Sequence, residues 1–87
     1  MKTRSKAYGT ANAVGKCIEK IRLSKHIKQA DFIARLQAEG LDINPTSYSK
    51  LEGQLRQAND LEIYYIAKVL GVSIASLFSE YENDINH

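Results

Sequence analysis

The stretch from residue 27 to residue 58 carries the most structural information in this sequence, because strong helix-ending and helix-starting signals separate two short apolar segments there. Gln29 begins the first predicted helix, and Gly40 ends it because glycine readily adopts the left-handed backbone common at helix ends. Asn44 is placed to cap the next helix, and Pro45 to occupy its first position, where no amide donor is needed. The sequence therefore predicts two short helices joined by a long polar turn over residues 37–44.

Small polar side chains crowd the first turn of the second of these helices. Thr46 and Ser47 follow the proline, and Lys50 lies one turn further on. A helix with such a first turn, flanked by basic residues, suggests the hypothesis of DNA recognition. The alternative is that Thr46 and Ser47 only start the helix and that Lys50 is a solvated charge.

Helical spacing and capping signals predict three further helices, and no stretch of the chain favours a strand. Asn12 is predicted to cap the first helix, the run NDLE at residues 59–62 is a capping box that starts the fourth, and Gly71 ends the fourth. Ser73 is predicted to cap a short fifth helix. The fold class is therefore all-α with five helices. Their apolar residues are Val14, Cys17, Ile18, Ile21, Phe32, Ile33, Leu36, Tyr48, Leu51, Leu55, Ile63, Ile66, Ala67, Leu70, Ile74, Leu77 and Phe78, with Leu41 and Ile43 in the turn.

Length and composition predict one small globular domain. The chain has 87 residues, of which 44% are hydrophobic and 25% are charged, a balance typical of a folded protein. We predict a flexible basic arm at residues 1–11, the helical domain at residues 12–80 and an acidic, fraying tail at residues 81–87. The arm has alternating basic residues suited to a DNA backbone or minor groove, and a simply disordered tail is the alternative.

The charge of the chain is unevenly distributed along its length. Residues 1–28 contain eight lysines or arginines and one acid, Glu19, whereas residues 60–87 contain five acids and one lysine, Lys68. Such polarity suits one end of the chain to a polyanion. Chance asymmetry on an ordinary solvated surface is the alternative interpretation.

Several functional classes find no support in the sequence. No apolar run reaches the roughly 18 residues that span a bilayer, and the single cysteine, Cys17, fits a reducing compartment, so a cytoplasmic protein is expected. His26, His87 and Cys17 do not have metal-ligand spacing, and no nucleophile elbow or phosphate-binding loop is present. We expect no enzyme activity, no cofactor, no metal, no membrane segment and no small-molecule ligand.

Four fragments in order resemble a known family: Ile21-Arg22, then Gln29, then YSKLE at residues 48–52, then IAKVLGVSIASLF at residues 66–78. Together they resemble the Cro/repressor-type helix-turn-helix, also called the xenobiotic-response-element family, over roughly residues 14–78. The last fragment carries most of the resemblance. The chain differs from the family pattern in its longer turn, in Ile33 where alanine is usual, and in the order Gly53-Gln54.

The resemblance implies a five-helix, lambda-repressor-like DNA-binding domain whose third helix enters the major groove. It implies a buried ion pair between Arg22 and Glu52 that joins the first helix to the third. The expected base-contacting residues are Pro45, Thr46, Ser47 and Lys50. The expected phosphate-contacting residues are Lys28, Gln29, Asn44, Arg56 and Gln57.

The leading hypothesis is a sequence-specific transcriptional regulator, a repressor, that binds double-stranded DNA as a homodimer, since two half-sites multiply a small interface. Leu77, Phe78 and Tyr81 are the candidate dimer surface, with closure of the core as the alternative. The rival hypothesis is a protein-interaction module of the same fold, such as an antitoxin, an anti-repressor or an adaptor.

Overall fold

A computed structural model describes residues 11–85 and contains no strand in that range. The all-α prediction is thus confirmed at the level of class. The elements in chain order are α1 (Gly15–Ser24), α2 (Gln29–Ala38), α3 (Pro45–Glu52), α4 (Asp60–Leu70), a 3₁₀ helix (Ile74–Phe78) and α5 (Ser79–Ile85). The arm predicted at residues 1–11 lies outside the described range except for Ala11. The tail predicted to fray from residue 81 continues as helix through Ile85.

Three of the predicted capping residues lie at the starts of their helices. The Asn44 side chain accepts the amide of Ser47 at the start of α3, with Pro45 in the first helical position. At α4, Asn59 and Glu62 form the full capping box, in which each side chain accepts the backbone amide of the other residue. Ser73 caps the 3₁₀ helix. Short polar side chains therefore fix where three of these segments begin.

Within residues 11–85, α1 to α4 all end in the same backbone motif. One residue adopts the left-handed backbone conformation. The backbone amide of the next residue then donates a hydrogen bond to the carbonyl of the residue five positions before it. Glycine accommodates this backbone at two ends, whereas His26 and Gln54 adopt it with φ of 59° and 62°. The pairs of left-handed and following residues are His26 and Ile27, Gly40 and Leu41, Gln54 and Leu55, and Gly71 and Val72.

The motif at the end of α3 overturns one prediction. Leu55 was expected to face inward at helical spacing, but it is 73% exposed. Because α3 ends at Glu52 and the chain then turns left-handed at Gln54, the helical spacing no longer applies at residue 55. The Gln54 side chain occupies the inward-facing position instead, and Gln54 is only 2% exposed.

The core lies where α1 to α4 and the 3₁₀ helix meet. Phe32 of α2 packs edge-on against Tyr48 of α3, with ring centroids 5.7 Å apart. Leu41 and Ile43 anchor the long turn in this core, as predicted. The buried apolar residues are Val14, Cys17, Ile18, Phe32, Ile33, Leu36, Leu41, Ile43, Tyr48, Leu51, Ile66, Ala67, Leu70 and Leu77.

The C-terminal elements close this core. Leu77 is fully buried, and Phe78 packs against the cluster. For Leu77, the alternative interpretation as a core residue is therefore correct, whereas Ile74 remains 47% exposed. The Lys20 ammonium of α1 lies 2.7 Å from the Glu80 carboxylate of α5. This ion pair connects the basic N-terminal part of the described chain to its acidic C-terminal part.

In the described part of the chain, no single helix is long and apolar enough to cross a membrane. One pair of segments passes the same test together, Asp60–Leu70 with Ile74–Asn83, and it is bent by 105°.

Gly15 brings α1 into close contact with the end of α3. A Cβ atom at this position would lie 2.6 Å from the carbonyl oxygens of both Leu51 and Glu52. Backbone oxygens of a helix do not yield as a flexible side chain does. Only glycine permits this approach.

We therefore predict that Gly15→Ala lowers the free energy of unfolding by roughly 1–3 kcal/mol or more, the usual cost of overpacking. Urea denaturation followed by circular dichroism measures the loss. Gly53→Ala is the matched control, because its Cβ would meet the nearest oxygen at 3.1 Å with an ordinary backbone φ of −78°. Equal stability losses for the two variants would contradict the close-contact interpretation.

Candidate nucleic-acid interface

The Glu52 carboxylate joins the first three helices at one buried point. Arg22 of α1 donates two hydrogen bonds of 2.9 Å to its two oxygens. Tyr48 donates its hydroxyl at 2.5 Å, and Gln29, the first residue of α2, donates its amide at 3.3 Å. Four donors fill the acceptor capacity of a carboxylate. The ion pair expected from the resemblance is present, with two further partners.

Burial makes this network costly to disrupt. The side chains of Arg22 and Glu52 are 7% and 4% exposed. The hydrogen bonds to Glu52 raise the pKa of Arg22 despite its burial, and burial raises the pKa of Tyr48. Arg22 also donates to the carbonyl of Ile27 at 2.7 Å, which holds the connection between α1 and α2.

A second ion pair holds the other end of α3. The Arg56 guanidinium donates to both oxygens of Glu62, at 2.9 and 2.7 Å, and to the Ser47 carbonyl in the first turn of α3 at 2.9 Å. A further bond of 2.8 Å reaches the carbonyl of Gln57. Burial alone would raise the pKa of Glu62, but the bonds from Arg56 and from the Asn59 amide lower it below its ordinary value.

Residues before α1 hold the C-terminal end of α3. The Asn12 amide donates to the carbonyls of Leu51 and Arg56 at 2.8 and 2.9 Å. Its oxygen accepts the amides of Val14 and Gly15, so it satisfies the first amide of α1, although the N-cap position is Val14 and not Asn12 as predicted. The buried Gln54 side chain donates to the Asn12 carbonyl at 3.0 Å.

The outer surface of α3 is polar and open. Pro45, Thr46 and Lys50 are exposed, and Ser47 is half-buried. Together these four predicted base-contacting residues line one shallow concavity, whose remaining walls are Asn44 and Arg56. The structure thus gathers the predicted base-contacting residues on one surface. The Asn44 side chain is engaged in the helix cap, with 2.8 Å to the Ser47 amide.

The start of α2 lies beside α3. The Gln29 oxygen accepts the hydroxyl of Ser49 at 3.1 Å, in addition to the amide bond to Glu52. Lys28 precedes it as the exposed N-cap residue of α2. Ile33 is buried and lines a notch between α2 and Pro45.

Two parts of this site were not foreseen from the sequence. The expected phosphate contact Arg56 is instead bonded to groups of its own chain, while its neighbour Gln57 is exposed. The double role of Asn12 had no local signal, because its partners lie 39 and 44 residues away.

Comparison with protein-family models, characterised proteins and solved structures returned no match. Among the described residues, no three histidine, cysteine, aspartate or glutamate side chains come together in a group able to hold a metal ion. Cys17 is buried, and its thiol lies 3.4 Å from the Ser76 carbonyl.

Arg22→Met is expected to lower the free energy of unfolding by about 3–5 kcal/mol, because Glu52 stays buried without its cation. Urea denaturation measures the change. Adding Glu52→Leu to this variant should recover part of the loss, since no unpaired charge then remains. Lys20→Met, which breaks an exposed pair, is the control and should cost under about 1 kcal/mol. A loss no larger than that of the control would refute the role of the buried pair.

The lowered pKa of Glu62 predicts a pH-dependent contribution to stability. The contribution is present above the ordinary value of 4.5 and is lost as the pH falls through the lower native pKa. The difference in unfolding free energy between wild type and Glu62→Gln should therefore shrink on acidification below pH 4.5. Urea denaturation across that pH range measures it, with Glu82→Gln as the exposed control. A difference independent of pH contradicts the prediction.

Proposed function

We propose that this chain is a sequence-specific, double-stranded DNA-binding transcriptional regulator, a cytoplasmic repressor with a lambda-repressor-like helix-turn-helix. The observation that carries the proposal is the contrast between the two sides of α3. Its inner side is held by the buried Glu52 network, whereas its outer side presents exposed polar groups around one concavity. A rigidly supported helix with an open polar surface meets the requirement for insertion into a major groove.

In this proposal the base contacts come from the leading end of α3. Lys50 donates to guanine O6 or N7, and the hydroxyls of Thr46 and Ser47 accept or donate at several base edges. Pro45 offers apolar contact to a thymine methyl group. Discrimination by these residues is modest, so DNA shape contributes to site selection.

Phosphate contacts come from the basic and amide groups around α3. Lys28 and the start of α2 face the backbone, where free helix amides and the helix dipole favour a phosphate. Gln29 joins them through its remaining amide hydrogen, and Gln57 contacts the strand from the loop. Arg56 acts mainly as a positioning residue, because its bonds to Ser47 and Glu62 hold the first turn of α3.

Selection of bound sequences from a random duplex pool tests the proposal and supplies the operator. On that operator, Lys50→Ala is expected to weaken binding by roughly 1–3 kcal/mol and to relax preference at one base pair. Lys28→Ala is expected to weaken binding to all duplexes about equally and to reduce the salt dependence by roughly one unit of slope. Fluorescence anisotropy over a range of salt concentrations measures both.

Arg35→Ala is the matched control, because this arginine lies beside Glu39 and Lys68 in the groove between α2 and α4. It should bind the operator as the wild type does. Failure of the pool to yield any enriched sequence, with no affinity for duplex DNA at low salt, would overturn the proposal.

One observation favours a protein-interaction module of the same fold, such as an antitoxin or adaptor. Leu55 lies three residues after the end of α3 and is 73% exposed, and Arg56 is engaged within the chain. An apolar side chain beside α3 suits a protein partner better than a phosphate backbone. Under this alternative, Leu55→Ser abolishes partner binding and the chain has no measurable affinity for DNA.

A further inference from the structure

The outer face of α4 carries a stripe of four exposed residues, Asp60, Leu61, Tyr64 and Lys68. Residues four apart along a helix share one face, so Asp60, Tyr64 and Lys68 lie in a line with Leu61 beside them. Leu61 is 61% exposed and Tyr64 is 50% exposed. This stripe puts two large apolar side chains between an acid and a base.

The Tyr64 ring has a defined place in the stripe. It packs edge-on against Tyr65, with ring centroids 5.3 Å apart and planes at 81°. A half-exposed aromatic ring already held by its neighbour loses little conformational freedom when it is covered. Such residues are common anchors of protein interfaces.

The charges of the stripe are symmetric about the tyrosine. Asp60 lies four residues before Tyr64 and Lys68 four residues after it, so about 12 Å of helix separates the acid from the base. If two copies of α4 pack antiparallel across a two-fold axis at Tyr64, each Asp60 faces the other copy's Lys68. The stripe is therefore complementary to itself, which is the condition for a symmetric dimer interface.

The existing partner of Lys68 does not prevent this arrangement. Its ammonium lies 3.0 Å from Glu39, in a pair whose side chains are 53% and 41% exposed. Exposed pairs of this kind contribute little, and an ammonium has three donors. Lys68 can serve Glu39 and a second carboxylate together.

The dimer surface predicted from the sequence, formed by Leu77, Phe78 and Tyr81, offers less exposed apolar surface than the stripe on α4. Of its three residues, Leu77 is fully buried and Phe78 packs on the core. The stripe on α4 instead exposes both of its large apolar side chains.

We propose that the stripe Asp60, Leu61, Tyr64 and Lys68 is the surface through which two copies of this chain form a symmetric antiparallel dimer. The inference takes up the homodimer predicted from the sequence and does not rest on DNA binding. Leu61 packs beside the partner's tyrosine, and the two Asp60 to Lys68 contacts set the register.

The apolar part is tested by Leu61→Glu, with association measured by sedimentation without DNA between about 1 µM and 1 mM, the range of weak dimers. The wild type should dimerise within this range, and the variant should associate roughly 100-fold more weakly, because a symmetric interface loses two leucines and gains two carboxylates. Leu23→Glu changes a leucine of similar exposure on α1, 57% against 61% for Leu61, and should dimerise as the wild type does. A monomeric wild type, or equal effects of the two variants, would overturn the inference and leave the stripe to another partner.

The register is tested by a charge exchange between two variants. In Asp60→Lys and in Lys68→Glu, each homodimer has two like-charge contacts, and each should dimerise roughly 10-fold more weakly. Mixing the two variants creates two attractive contacts in the heterodimer, which should form with wild-type affinity. Native mass spectrometry distinguishes the species, and recovery on mixing cannot result from misfolding. Homodimers as strong as the heterodimer would contradict the antiparallel register.

These measurements are independent of DNA. A chain that dimerises through α4 but enriches no duplex keeps this inference and loses the proposed function. A chain that enriches an operator but remains monomeric without DNA keeps the proposed function and loses this inference.

Discussion

Three helices of this fold meet at one buried carboxylate. Glu52 lies at the end of α3, and its bonds to Arg22, Gln29 and Tyr48 join three helices. A buried charge is tolerated when its partners satisfy it, and removal of any one partner leaves an unpaired polar group in a poorly hydrated site. The orientation of α3 relative to α1 and α2 is therefore defined by directional bonds as well as by apolar contact.

Much of the fold was predictable because its signals are local. The caps at Asn44, Asn59 and Ser73, and the glycines at residues 40 and 71, act within a few residues of their own position. The end of α3 was not predictable in this way. A left-handed glutamine replaces the usual glycine there, and it is supported by a hydrogen bond to Asn12, which lies 42 residues away. Long-range support of this kind leaves no periodic signal in the sequence.

The same division applies to the candidate site. The spacing of residues in α3 predicted which ones share its outer surface, and the resemblance predicted the pair of Arg22 and Glu52. Neither predicted the ion pair between Arg56 and Glu62. An arginine in an exposed loop and a glutamate in a capping box each have a sufficient local role, so neither residue indicates the other as its partner. An arginine is available to bind an external phosphate only if no carboxylate of its own chain already pairs with it. Tertiary packing determines whether such a carboxylate lies close enough.

The supports of α3 also determine what could be moved to another protein. Both ends of this helix are held from outside the segment that contains α2 and α3: Asn12 and Gly15 lie before it, and Glu62 lies after it. A graft of residues 27–58 onto a foreign scaffold would keep the polar surface but lose the groups that orient it. For this chain, the smallest transferable unit extends from Asn12 into α4, which is most of the domain.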